Sequence, residues 1–181
     1  MGTMRTATTH WEGSLFEGSG QVTLESSGIG TYDVNWASRA EEANGRTSPE
    51  ELIAAAHSSC FSMAFSNGLT KAGTPPERLE TTAAVTFQPG EGITGIHLTV
   101  RGTVPGISAD DFVAAAEAAK EGCPVSQALT GTTITLDGDG DGGPTTVTLE
   151  QDGNESQEQA DQFGQNWQSM LDALKATVES S

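Results

Sequence analysis

Thr47-Ser48-Pro49-Glu50-Glu51-Leu52-Ile53-Ala54-Ala55-Ala56-His57-Ser58-Ser59-Cys60-Phe61-Ser62-Met63-Ala64-Phe65 is the stretch on which the fold turns. Ser48 suits an N-cap, because its hydroxyl can accept from an amide that the first helical turn leaves unpaired. Pro49 suits the first helical position, where no amide hydrogen is needed. Glu51, three residues after Ser48, completes a capping box. These signals predict a helix that ends at Asn67-Gly68 or a turn later near Gly73, both glycines being plausible C′ residues. The segment is apolar or small on almost every face, which predicts a helix buried on all sides. Cys60 lies in its middle.

Upstream, Arg5 to Trp11, Gln21 to Glu25 and Thr31 to Trp36 alternate in the strand manner between glycine-rich turns such as Glu17-Gly18-Ser19-Gly20. Downstream, strand signals return at Thr81 to Phe87 and Ile93 to Val104. A second helix is expected over Asp110 to Lys120, capped by Ser108 and stopped by Gly122. Cys123 precedes Pro124 and is expected to cap a short helix through Gln127, and Thr132 to Asp137 forms a last strand. This order predicts an α+β fold in which a sheet wraps buried helices, with no glycine-rich phosphate loop after a strand.

The chain has 181 residues, enough for one domain with an appendage. Its 25 acidic and 8 basic residues give a formal charge of −17, which repels phosphate backbones and anionic lipid surfaces. Nucleic-acid and membrane partners are therefore not expected. The segment Met1 to Gly13 has no apolar run of signal-peptide length, and no run is long enough to span a bilayer, so a cytoplasmic location is expected. Met1-Gly2-Thr3-Met4-Arg5-Thr6 matches the myristoylation pattern, but the pattern is short and Met4 offers a second start, so it is read as coincidence.

Reducing conditions and a sufficient core argue against a structural disulfide, leaving Cys60 and Cys123 as buried hydrophobes, metal ligands or reactive thiols. A cysteine on an apolar helix is usually a small buried hydrophobe. A zinc site of Cys60, His57 and Cys123 lacks a fourth ligand, so no metal is expected and His57 is read as a packed or hydrogen-bonded helix residue. Glu51 is read as the cap partner, and His10 and His97 fall on strands without a nearby nucleophile. Burial raises a thiol's pKa, so Cys60 ionises only beside a permanent cation that is itself paired with a carboxylate. Cys123, at a helix start, is the more acidic thiol on local sequence alone.

Trp11-Glu12-Gly13, the stretch from Thr47 to Met63, Val104-Pro105-Gly106-Ile107 and Gly122-Cys123-Pro124-Val125-Ser126-Gln127 together resemble the osmotically inducible protein C (OsmC) family, kin of the organic hydroperoxide resistance proteins. The likeness is to the OsmC branch and covers residues 5 to 137. It implies antiparallel sheets wrapped around a long buried helix, an intertwined homodimer with active sites near the interface, and a role in oxidative and osmotic stress. The implied activity is reduction of organic hydroperoxides to alcohols, with Cys60 attacking to give a sulfenic acid and Cys123 resolving it as a Cys60–Cys123 disulfide. The resemblance also implies a glutamate that orients an arginine beside the thiolate. Glu50 matches that glutamate, and Arg39, in Trp36-Ala37-Ser38-Arg39-Ala40-Glu41, matches the arginine best. The stretch from Arg39 to Pro49 is one residue longer than the family pattern, which makes Arg46 the rival; otherwise Arg46 is a solvated loop charge. No bound cofactor is implied, only an external dithiol reductant of the lipoyl type. Phe61, Met63 and Phe65 are expected to line an apolar site that favours organic substrates. Two other classes stay open: a redox-inactive binding protein of the same fold, and an interaction module.

The module reading rests on the C-terminal part. Residues 1–138 form the expected OsmC-like domain and 139–181 an acidic extension. Residues 137–181 hold ten acidic residues and one basic, −9 of the −17. Asp137-Gly138-Asp139-Gly140-Asp141-Gly142 opens like a calcium loop, yet its twelfth position is Thr148 rather than glutamate and strands flank it, so a flexible turn is expected. Thr145 to Glu150 alternates as a strand, and Phe163, Trp167, Met170, Leu171, Leu174 and Val178 recur at helical spacing. This end resembles the C-terminal part of START-like, heat-shock-activator-homologue domains, without the remainder of that fold or its ligand cavity.

Overall fold

Three short strands, β1 (Thr8–Glu12), β2 (Ser19–Thr23) and β3 (Thr31–Asn35), open the fold as an antiparallel meander. Thr8 pairs with Thr23 and Val22 with Tyr32, so one register runs through the sheet. The strands are shifted from their expected bounds. β1 starts at Thr8 rather than Arg5, β2 ends at Thr23, and β3 ends at Asn35. Trp36 does not close β3; it opens α1 (Trp36–Ala40). That turn forms because Asn35 Oδ1 accepts from the Ser38 amide at 2.7 Å while the Asn35 amide donates to the Ser38 hydroxyl at 3.2 Å, a reciprocal cap. The computed structural model describes residues 2–131 in full and residues 134–139 and 145–150 as backbone.

The long helix α2 spans Pro49–Lys71. Its end lies at the later of the two expected stops: Gly68 stays helical, and Gly73 takes the left-handed φ of +87° after the C-cap Ala72. Ser48 caps the start by accepting from the Glu51 amide at 3.1 Å. The capping box is only half formed, because the Glu51 carboxylate accepts from the Thr47 hydroxyl at 2.6 Å instead of reaching back to Ser48.

His57, Phe61, Phe65 and Leu69 recur every fourth residue and form the buried stripe of α2. The stripe packs on the twisted pair β4 (Arg78–Gln88) and β5 (Gly92–Thr103) and on α3 (Ala109–Gly122). Ile96, Leu98 and Val100 of β5 and Phe112 and Ala116 of α3 complete the core. Phe65 meets Phe112 edge to face at 5.0 Å and Phe61 at 5.7 Å; fully burying each ring contributes about 1.5–3 kcal/mol. The opposite face of α2 (Ala55, Ala56, Ser59, Met63, Asn67) is exposed. Burial on all sides therefore does not hold within one chain: the small residues of this face have no described element of the same chain over them.

After α3 the chain turns at Cys123 into α4 (Pro124–Ala128) and then enters β6 (Ile134–Asp139) and β7 (Thr145–Glu150). Both share the free edge of β5: β6 pairs in parallel at Ile96–Ile134 and His97–Thr135, and β7 pairs antiparallel from Leu98–Leu149 to Gly102–Thr145. The second sheet is thus not purely antiparallel, because β6 reaches β5 after the α3–α4 crossover rather than through a hairpin. The strand assigned to the acidic extension is part of this sheet. Of the turn expected over Asp137–Gly142, Asp137–Asp139 instead continue β6; residues 140–142 and the amphipathic helix expected over Phe163–Val178 lie outside the described residues. Among the described residues no helix is long and apolar enough to cross a membrane.

Candidate active site

The two cysteines meet where α2 passes the α3–α4 junction. Cys123 ends α3 and caps α4 in an extended conformation (φ −75°, ψ 118°); its amide donates to Lys120 O at 3.3 Å and its carbonyl accepts from the Gln127 amide at 3.0 Å. Pro124 at the first helical position fixes the turn without wasting an amide. Both thiols are free. Cys60, expected to be buried, is only partly so, because α2 buries the stripe beside it and leaves the Cys60 flank open; Cys123 is 0% exposed.

The Cys60 and Cys123 side chains lie close enough that each shifts the other's ionisation. Burial pushes Cys60 up; the Val125 amide opposes this, and the Cys123 sulfur adds to it. Burial also pushes Cys123 up, but the Ser126 amide, the Cys60 thiol, the Ser126 hydroxyl and the Val125 amide outweigh it and bring Cys123 below its ordinary value. Of the two thiols Cys123 is therefore the more readily ionised, as its place at a helix start implies.

A second pair, Arg39 and Glu50, is assembled by a return of the chain onto β3. The Thr47 amide donates to Asp33 O at 3.0 Å, Val34 and Thr47 form a bridge, and the Ser38 hydroxyl donates to Thr47 O at 3.0 Å. This closure sets α1 beside the first turn of α2. Arg39 Nε and Nη2 then both donate to Glu50 Oε1, at 2.9 and 2.8 Å, and the guanidinium lies 4.0 Å from the Phe87 ring centroid. Trp36 meets Phe87 and Phe16 edge to face and walls this side. Glu50 Oε2 is buried without a partner. Arg46 is exposed on the loop, so of the two candidate arginines Arg39 is the one that pairs with Glu50. The structure brings the two cysteines together and the two ions together; Arg39 and Glu50 bond to each other and are not among the causes of the Cys60 shift.

Two side chains not expected in the site adjoin the cysteines. His57 Nε2 lies 2.8 Å from Ser126 Oγ, both buried, and His57 Nδ1 has no partner. Burial holds the imidazole below its ordinary pKa. The only sequence signal was matched spacing, His57 three before Cys60 and Ser126 three after Cys123. Phe61 and Phe65, expected to line the site, are instead core residues, and Met63 is 67% exposed on the open face of α2. His10 sits on exposed β1 and His97 on β5, away from either pair in sequence and sheet. Among the described residues no three His, Cys, Asp or Glu side chains converge as a metal site.

The chain matches the family model described as OsmC-like protein over residues 42–137, a span that holds Glu50 and both cysteines. It is 45% identical over 131 residues to Peroxiredoxin OsmC of Escherichia coli (strain K12), covering 71% of this chain and 90% of that protein. Among solved structures it resembles an organic hydroperoxide resistance protein OsmC from Legionella pneumophila, with TM-score 0.57 and 24% identity over 73% of this chain and 93% of the other. The organic hydroperoxide resistance protein OhrB of Bacillus subtilis matches with TM-score 0.52 and 22% identity over 71% and 94% of the two chains. The motifs around Cys60 and Cys123, the α+β architecture and this identity over most of a curated relative agree: the chain is a member of the OsmC family.

Proposed function

We propose that this protein is a thiol-dependent peroxidase that reduces organic hydroperoxides to alcohols. The observation that carries this reading is a partly exposed thiol, Cys60, beside a fully buried one, Cys123, each acting on the other's ionisation. A solvent-reachable sulfur can meet a peroxide, and a sheltered neighbour can resolve the product before further oxidation. The names of the relatives, a peroxiredoxin and organic hydroperoxide resistance proteins, support the same activity.

The reaction starts once the pair has lost one of its two protons. Transfer of the remaining proton from Cys60 to Cys123 leaves a Cys60 thiolate, which attacks one peroxide oxygen. The S–O bond forms, the O–O bond breaks, and the departing alkoxide takes the Cys123 proton to become the alcohol. Cys123, now a thiolate, attacks the Cys60 sulfenic acid. The S–S bond forms, hydroxide leaves and takes a proton from solvent, and an external dithiol of the lipoyl type reduces the disulfide. Arg39, held by Glu50, supplies the cation that favours the Cys60 thiolate once the guanidinium turns toward it. The exposed α2 face with Met63, and the exposed Phe16 and Ile29, support an intertwined homodimer as the working form.

Steady-state consumption of cumene hydroperoxide with dihydrolipoamide as donor tests the proposal. Turnover is expected for the wild type and absent in Cys60→Ser. Equal consumption by Cys60→Ser defeats it.

A further inference from the structure

The buried His57–Ser126 pair stands directly behind the cysteines, and the chemistry above leaves it without a role. His57 is 0% and Ser126 4% exposed, and His57 Nδ1 faces no hydrogen-bonding group. A charged imidazole here would bury an unpaired N–H, so the ring is neutral and carries one hydrogen. Ser126 also has one hydroxyl hydrogen to place. Pointed at the ring, it forces the ring hydrogen onto Nδ1, where it finds no acceptor. Pointed toward Cys123, whose ionisation Ser126 favours, it leaves Nε2–H free to donate to Ser126 Oγ, and Nδ1 carries no hydrogen that lacks an acceptor. The second arrangement is favoured, because an unmade hydrogen bond in the interior is expensive.

We propose that His57 is a positioning residue for the resolving thiol: its Nε2–H fixes the Ser126 hydroxyl, which aims its hydrogen at the Cys123 sulfur and holds it as the thiolate that attacks oxidised Cys60. The inference rests on the peroxidase reading for that last step alone. In it the S–S bond forms and the Cys60 S–O bond breaks; Cys123 sulfur is oxidised, Cys60 sulfur is reduced from the sulfenic state, and hydroxide leaves to be protonated by solvent. The Ser126 hydroxyl is among the groups that lower Cys123. Other charged groups on the packed elements have their own partners or are exposed: Glu117 and Lys120 of α3 pair at 3.2 Å, Glu50 of α2 pairs with Arg39, and Glu121 is exposed.

Cys60→Ser leaves Cys123 as the lone thiol, whose ionisation is followed at 240 nm without any peroxide. In that background Ser126→Ala and His57→Phe are each expected to raise the titration midpoint by about one pH unit, the size of one hydrogen bond to a charged group. His57→Gln, whose Nε2–H can replace that of the ring, is expected to restore it. Circular dichroism checks that each variant is folded, and the milder Ser126→Ala keeps the test available if the ring substitutions are not. Coincident midpoints in Ser126→Ala and its Cys60→Ser parent overturn the inference, as does a His57→Phe shift that His57→Gln fails to reverse. In the two-cysteine protein treated with stoichiometric cumene hydroperoxide, dimedone should trap several-fold more Cys60 sulfenic acid in Ser126→Ala than in wild type. A shifted midpoint without any sulfenic acid in either protein would sink the peroxidase reading and leave the hydrogen-bond relay standing.

Discussion

Removing Arg39 should destabilise the protein far more than neutralising its partner, and the asymmetry follows from exposure. The Arg39 side chain is 32% exposed and that of Glu50 8%. Arg39→Ala strands a carboxylate in a site where Oε2 already lacks a partner. Breaking one side of a buried pair costs 3–5 kcal/mol, and because water can enter the space a third-exposed side chain vacates, about 3 kcal/mol is expected. Glu50→Gln leaves a cation that can turn to solvent while the amide oxygen still accepts, so about 1 kcal/mol is expected. The double variant buries a neutral amide and should be less destabilised than Arg39→Ala alone, a coupling that only a double-mutant cycle isolates. With a urea m-value of about 2 kcal/mol/M, the midpoints should fall by about 1.5 M for Arg39→Ala and 0.5 M for Glu50→Gln, at fixed protein concentration. Equal losses for the two single variants, or strict additivity in the double, would refute the reasoning that the buried Glu50 depends on Arg39 as its partner.

Three further outcomes are open to simple assays. Gly102→Ala on β5 places a methyl 2.8 Å from Phe112 Cε2 and 2.9 Å from Leu79 Cδ2; overpacking of this kind costs about 1–3 kcal/mol, and an unchanged melting temperature would contradict it. His57 binds a proton less readily folded than unfolded, where its value is 6.5, so its contribution is complete above about pH 6.5 and is lost as pH falls toward the depressed folded value, at up to about 1.4 kcal/mol per pH unit. His57→Gln should remove that part of the acid sensitivity; a wild-type-minus-variant difference that stays flat from pH 7.5 to 5 would count against it. Truncation after Asp137 removes the β7 partner of Leu98–Gly102 and should lower the melting temperature; an unchanged melting temperature would count against that ladder.

What the sequence revealed about this fold depended on how local each determinant was. Ser48 and Pro49 announced α2 because a cap acts within four residues, and Gly73 marked its end by needing a positive φ. The alternation of Thr31 to Trp36 concealed α1, whose five residues are set by the Asn35–Ser38 cap rather than by periodicity. That Arg39 rather than Arg46 pairs with Glu50 depends on Thr47 folding back onto Asp33, a contact across fourteen residues that no spacing rule reports. The partial exposure of Cys60 was hidden for the same reason: an apolar helix suggests burial, but which flank is covered depends on where α3 and α4 dock. His57 and Ser126 are 69 residues apart, and their pairing belongs wholly to tertiary structure.

The central claim is that Cys60 and Cys123 form one redox unit. Treating the fully reduced protein with one equivalent of cumene hydroperoxide, counting free thiols and mapping the cysteine peptides tests it most directly. The account predicts loss of both thiols and a single intrachain Cys60–Cys123 disulfide. Retention of both thiols, or oxidation of Cys60 without a bond to Cys123, would contradict it.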